Sequence, residues 1–200
     1  QEKLKVNFKR MAKLSSDFQQ NINEWNDGIW VNEAELAGTS AYYQNQLQRD
    51  TQGRFYISLD YPSLVPFMEN ALSTERREEL AKKNLSKGGE QNTLLLKELL
   101  KLRHENAQLL GYAHHADYVT EDRMAGSAAN VEKFLLDLAE KLKNKVLTEL
   151  DELQKIKNEL GGNSEKIQYF DIAFLISKHK QKHLNINTDS VREYFPLARI

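Results

Sequence analysis

The chain has 200 residues, 40% hydrophobic and 28% charged, with 3 Pro, 9 Gly and no Cys. That supplies enough apolar material for a core, and the abundance of Leu, Lys, Glu, Asn and Gln favours helix. A disulfide scaffold and Cys-ligated zinc are excluded, and a formal net charge of -1 gives no global electrostatic reason for a nucleic acid or anionic membrane partner. The absence of cysteine is compatible with a reducing compartment, and we expect a cytoplasmic protein.

Leu4, Phe8, Met11, Leu14, Phe18 and Ile22 fall on one helical stripe, so residues 3–23 read as a first helix. Residues 1–5 are charged and do not read as a signal peptide; the chain opens inside a helical pattern, and both ends read as cut. Gly28-Ile-Trp-Val31 is a short strand candidate. Asn32 caps a single helical turn that Gly38 closes. Residues 40–52 read as a short helix with Tyr42, Tyr43 and Leu47 turned inward. Arg54-Phe-Tyr-Ile-Ser-Leu59 is aromatic and β-branched, the strongest strand signal in the chain. A lone strand cannot satisfy its backbone, so residues 54–59 are expected to pair with 29–31 in a two-stranded ribbon. Asp60-Tyr-Pro62 then opens a helix with Pro in its first turn.

Ser73 or Thr74 caps the next helix, and Lys87-Gly-Gly-Glu90 is a flexible link that marks a sub-boundary. Asn92 is read as the cap, and Gly111 as the close, of a helix whose Leu95, Leu99, Leu102, Ala107, Leu109 and Leu110 recur at helical period. Arg103 and Glu105 sit among these apolar positions and are read as a structural ion pair. A short helix over 114–119 follows. Ser127 caps a long one over 128–160, nearly ~50 Å at ~1.5 Å per residue. Val131, Phe134, Leu135, Leu138, Leu142, Val146, Leu150, Leu153 and Ile156 lie along one side of it. Further helices are expected over 167–183 and from Thr188 to Tyr194. The fold class is mainly α: a multi-helix domain over residues 1–200 with one long helix and a small β ribbon.

The stretch Leu102-Arg-His-Glu-Asn-Ala-Gln-Leu-Leu-Gly-Tyr112, followed by His115-Ala-Asp-Tyr118, resembles a signature of the thimet oligopeptidase and neurolysin family of zinc metallopeptidases. Bacterial oligopeptidase A and dipeptidyl carboxypeptidase belong to the same group. Other blocks agree in the family's order: Asp17-Phe-Gln-Gln-Asn-Ile-Asn-Glu24, Glu33-Ala-Glu-Leu-Ala-Gly38, Phe55-Tyr-Ile-Ser-Leu-Asp-Tyr-Pro62, Met124-Ala125 with the helix from Val131 to Leu142, and Glu193-Tyr-Phe-Pro196. The resemblance runs from about Leu14 to Pro196. One block departs: where the family has Trp-Asp and a tyrosine pair, this chain has Phe170-Asp171 and Phe174-Leu175, which removes indole and hydroxyl donors.

The resemblance implies a zinc-dependent oligopeptidase that hydrolyses short peptides. The family's zinc is held by His-Glu-x-x-His on a helix plus a later Glu; the two His bind metal from one face and the Glu acts as general base. That pentad is absent here: the nearest string, His104-Glu105-Asn-Ala-Gln108, has Gln in place of the second ligand. The expectation is a segment of the non-catalytic half, walling a substrate channel and completed by a catalytic half of the same polypeptide. Zinc belongs to the parent enzyme, none is bound by this chain, and the chain alone is inactive. In that wall Tyr42, Tyr43, Tyr56 and Tyr61 are the channel candidates. Arg103, Glu105 and Asp117 are assigned structural roles. His179 and His183 at i and i+4 could reach one cation, yet Lys178, Lys180 and Lys182 oppose it, and the helix reads as a solvated basic face. The competing class is a non-catalytic helical protein-interaction module.

Overall fold

The computed structural model describes residues 1–161 and 166–184. It is mainly α. Among the described residues the helices are α1 (Glu2–Asn23), α2 (Ala41–Gln46), α3 (Tyr61–Asn70), α4 (Thr74–Leu85), α5 (Gly89–Leu109), α6 (His115–Thr120), α7 (Ala128–Glu159) and α8 (Ile172–Leu184). The strands are β1 (Gly28–Val31), β2 (Gln48–Arg49) and β3 (Phe55–Ser58). The chain divides into two compact units. One comprises Gln1–Trp25 and Ser86–Lys145; the other comprises Asn26–Leu85 and the described part of Val146–Ile200.

In the first unit α1 and α5 lie side by side, and α6 joins the end of α5. Local chemistry ends α5 sharply. Gly111 takes φ +85°, Gly111 N–H donates to the Gln108 carbonyl, and Tyr112 N–H reaches the Ala107 carbonyl. This is a Schellman closure, which satisfies carbonyls that the helix end leaves open. The beginning of α5 differs from the sequence reading. The helix starts at Gly89, after Gly88 at φ +80°, so the expected link is partly its first turn. Asn92 therefore lies inside the helix and does not cap it. Its amide instead donates to the Phe18 carbonyl at 3.0 Å and accepts from Asn21 at 2.8 Å.

The second unit is built on a three-stranded antiparallel sheet in the order β1-β3-β2. Ile29 pairs with Ile57, Trp30 with Tyr56 and Val31 with Phe55. The alternation turns Ile29, Val31, Phe55 and Ile57 inward, onto Leu36, Tyr43, Leu59, Phe67, Ala71 and Leu80. The third strand was not expected. The predicted helix over 40–52 stops at Gln46 because a tight hairpin follows. Asp50 accepts from the backbone N–H of Gln52 and Arg54 and from Arg54 Nε, and Gly53 takes φ +78°. Closing that turn brings Gln48 and Arg49 against Tyr56 and Phe55.

The single turn at Glu33–Leu36 is capped as the sequence predicts. Asn32 Oδ1 accepts from Glu35 N–H at 3.0 Å, and Glu35 Oε2 accepts from Asn32 N–H at 2.8 Å. A smaller cluster of Ile156, Phe174 and Leu175, with Leu153 and Ile167, joins the last turns of α7 to α8. The helix expected from residue 167 begins at Ile172, after a 3₁₀ turn at Tyr169–Asp171. The helix expected from Thr188 lies outside the described residues.

Helix α7 is long, as predicted, but most of its apolar side faces solvent. In the first unit Phe134 is 64% exposed and Leu135 56%. In the second, Val146, Leu147 and Leu150 are exposed, and burial sets in only at Leu153 and Ile156.

Candidate functional site

The four candidate tyrosines all lie in the second unit, around the sheet. Tyr43 is a core residue: its ring is buried and its hydroxyl donates to the Ser63 carbonyl at 2.6 Å. Burial outweighs that hydrogen bond and raises the phenol's pKa well above its ordinary value. Tyr56 lies on the sheet's outer face against Trp30, with ring centroids 4.9 Å apart. Its ring also crosses β1 at Gly28, where an added Cβ would meet Tyr56 Cζ at 2.7 Å. Arg54 Cζ stands 5.7 Å from the centre of the Trp30 ring. Tyr42 and Tyr61 are exposed, Tyr61 by 77%. Of the four, then, Tyr42 and Tyr61 are exposed, Tyr56 is half-buried, and Tyr43 belongs to the core.

The structural trio lies in the first unit, and the expected Arg103–Glu105 pair is not formed. Residues two apart on a helix point in different directions. Glu105 instead faces Lys3 of α1, with Oε2 3.7 Å from Nζ. Arg103 stands near His115, whose pKa is lowered first by burial and then by the Arg103 charge. Arg103 Nε and His115 Nδ1 are buried with no hydrogen-bond partner in the protein. Asp117 lies in the first turn of α6, where a carboxylate complements the helix dipole.

Sequence reasoning missed a buried ionic group in the second unit. Asp171 is 2% exposed and Arg77 2%. Arg77 Nη2 lies 3.0 Å from Asp171 Oδ1, and Lys157 Nζ lies 2.9 Å from Oδ2. Gln168 N–H also donates to Oδ2. Arg77 further donates to the Ala71 and Leu72 carbonyls, and its guanidinium lies 4.2 Å from the centre of the Phe174 ring. Burial opposes ionisation of Asp171, but the bonds from Lys157, Gln168 and Arg77 together hold its pKa below the usual carboxylate value. Burial lowers the pKa of Arg77, and Asp171 only partly restores it. The one sequence signal was that Arg77 shares a helical face with Leu80 and Ala81, all three buried. Its acidic partner lies 94 residues away.

Among the described residues the i, i+4 histidine pair of α8 belongs to no metal-holding group. His179 and His183 have ring centroids 4.5 Å apart, and His179 Nε2 is 4.0 Å from Glu152 Oε2. They open onto a shallow cavity of about 420 Å³ that also takes in Lys155 and Lys182. Glu159, on the same rim, is held by Lys182 at 2.6 Å. Among the described residues no group of three or more His, Asp or Glu side chains could hold a metal ion. The full sequence lacks His-Glu-x-x-His.

The family model for Peptidase family M3 matches residues 67–200. Oligopeptidase A of Salmonella typhimurium is 31% identical, over 94% of this chain and 30% of that protein. Thimet-like oligopeptidase of Dictyostelium discoideum is 30% identical, over 98% of this chain and 30% of its own length. Saccharolysin of Saccharomyces cerevisiae is 30% identical over 98% of this chain and 29% of its own length. The chain thus spans about three tenths of the curated relatives it matches. With the family model matching two thirds of its sequence, the chain belongs to Peptidase family M3.

Proposed function

We propose that this chain is a segment of a zinc-dependent oligopeptidase that cleaves short peptides, and that it forms part of the substrate-channel wall in the non-catalytic half. The observation that carries the reading is a conjunction. The chain aligns with oligopeptidases almost end to end, yet it has no His-Glu-x-x-His and no metal-holding group among its described residues. Zinc would belong to the catalytic half of the same polypeptide. The contribution of this chain's own residues is steric and adhesive. A helical wall excludes folded substrates by size, while Tyr42, Tyr56 and Tyr61 offer aromatic surface to an extended peptide. The partners are short peptides and the catalytic half, with no role for nucleic acid or membrane. We place the parent enzyme in the cytoplasm. Among the described residues no helix is long and apolar enough to cross a membrane.

Reading the coding sequence that flanks these 200 residues tests the proposal. An in-frame His-Glu-x-x-His downstream is the expected result; a stop codon directly after Ile200 would overturn it. The second reading, a non-catalytic helical interaction module, is favoured by the exposed apolar side of α7. That stop codon is the result it requires.

A further inference from the structure

Helices α1 and α5 of the first unit meet in a seam that repeats every seven residues. Asn7 Nδ2 donates to Asn106 Oδ1 at 2.8 Å, and Asn21 Nδ2 donates to Asn92 Oδ1 at 2.8 Å. The two pairs are two heptads apart on both helices, one climbing as the other descends, so the helices run antiparallel. Midway between them fall Leu14 and Leu99, both buried. The seam is therefore asparagine, leucine, asparagine. Along its flank, ion pairs follow the same repeat: Lys3 faces Glu105 at 3.7 Å, and one heptad on, Arg10 faces Glu98 at 2.7 Å. A seven-residue repeat on both partners is the geometry of a left-handed antiparallel coil.

The amides are spent inside the seam. Asn7, Asn92 and Asn106 are 6%, 4% and 1% exposed. Asn106 Nδ2 also reaches Met11 Sδ at 3.3 Å, and Asn92 Nδ2 reaches the Phe18 carbonyl at 3.0 Å. A buried amide with its partner in place is tolerated; without one it is costly. A slip of one heptad in either direction would set asparagines against leucine and leave only one of the two cations facing a carboxylate: Lys3 on Glu98 with Arg10 on Gln91, or Arg10 on Glu105 with Lys3 on Tyr112. A slip of two heptads would keep only one asparagine pair.

We propose that this asparagine–leucine–asparagine order is a register key. It admits one alignment of α1 on α5. It also rejects an all-apolar stripe such as the Phe134, Leu138 and Leu142 side of α7, which would leave the amides unpaired. A polar residue at a seam position trades stability for a single alignment. The same trade operates here between two segments 71 or more residues apart in the chain.

The chain has no cysteine, so introduced thiols report the register without background. Arg10→Cys with Glu98→Cys marks the native alignment, and Arg10→Cys with Gln91→Cys marks a one-heptad slip. With a short bis-maleimide, the otherwise native chain is expected to crosslink only the first pair within the monomer. In the background Asn7→Leu, Asn21→Leu, Asn92→Leu, Asn106→Leu, both pairs should crosslink. Crosslinking confined to the native pair in that background would overturn the proposal, because the loops would then be setting the register. Stability gives a second readout that does not need the fourfold variant to fold. Asn7→Leu and Asn106→Leu should each lower the thermal midpoint, and combining them should recover more than half of the loss. Losses that simply add would overturn the key.

Discussion

Asp171 shows how one buried charge is kept. Removing it would leave Arg77 and Lys157 without their shared carboxylate, in a region where neither is well hydrated. Breaking a buried ion pair from one side costs about 3–5 kcal/mol, and we expect Asp171→Ala to lose that much in urea unfolding at pH 7. The pH dependence has a definite sign. The folded-state pKa of Asp171 is below the unfolded value, roughly 3.9. Its contribution is therefore complete above about pH 4 and is lost as pH falls through the folded pKa. Unfolding free energies measured from pH 6 down to pH 3 should fall less steeply in Asp171→Asn than in the native chain; equal slopes would count against the network. Gly28 makes a different kind of demand. An added Cβ would sit 2.3 Å from the Ile57 carbonyl oxygen as well as against Tyr56. Gly28→Ala should cost about 1–3 kcal/mol, and trimming Tyr56 to Ala should not restore it, because the nearer clash is with backbone.

At the scale of elements, what could be read in advance was what depends on near neighbours in sequence. Strand β1, the Asn32 cap and the Gly111 closure each follow from a few adjacent residues. The failures share a cause. Asn92 looks like a cap because asparagine favours caps, but it is satisfied by Asn21 and Phe18, more than 70 residues away. Strand β2 is Gln-Arg, with no β-branched or aromatic residue to announce it. Arg103 and Glu105 were joined because they are close in sequence, although a helix turns them apart. The candidate site was legible to the same extent: the tyrosines do gather around one sheet, but only the fold shows that Tyr43 is interior. Burial also separates leucines that look alike in sequence. Leu14→Ala in the α1–α5 seam should cost about 2–5 kcal/mol, while Leu135→Ala on the open side of α7 should stay within about 0.5 kcal/mol. Chemical denaturation of the two variants side by side checks this.

For the whole molecule, the exposed apolar side of α7 sets the next expectation. In the first unit Phe134, Leu135 and Leu142, on one side of α7, are each more than 40% exposed. Contiguous apolar surface of that kind drives association or calls for a cover. The isolated chain should bind a hydrophobic dye, and its sedimentation coefficient should rise with concentration; a strictly monomeric chain that leaves the dye dark would show that α7 needs no cover. Membership in Peptidase family M3 is shown; that this chain carries no catalytic centre of its own is our proposal. The most direct test is to assay highly purified chain on quenched fluorescent peptides of about ten residues, with and without added zinc, and to measure bound zinc after dialysis. No turnover above the buffer rate and no stoichiometric metal are expected. Chelator-sensitive cleavage, or one zinc held per chain and lost in His183→Ala, would contradict the proposal.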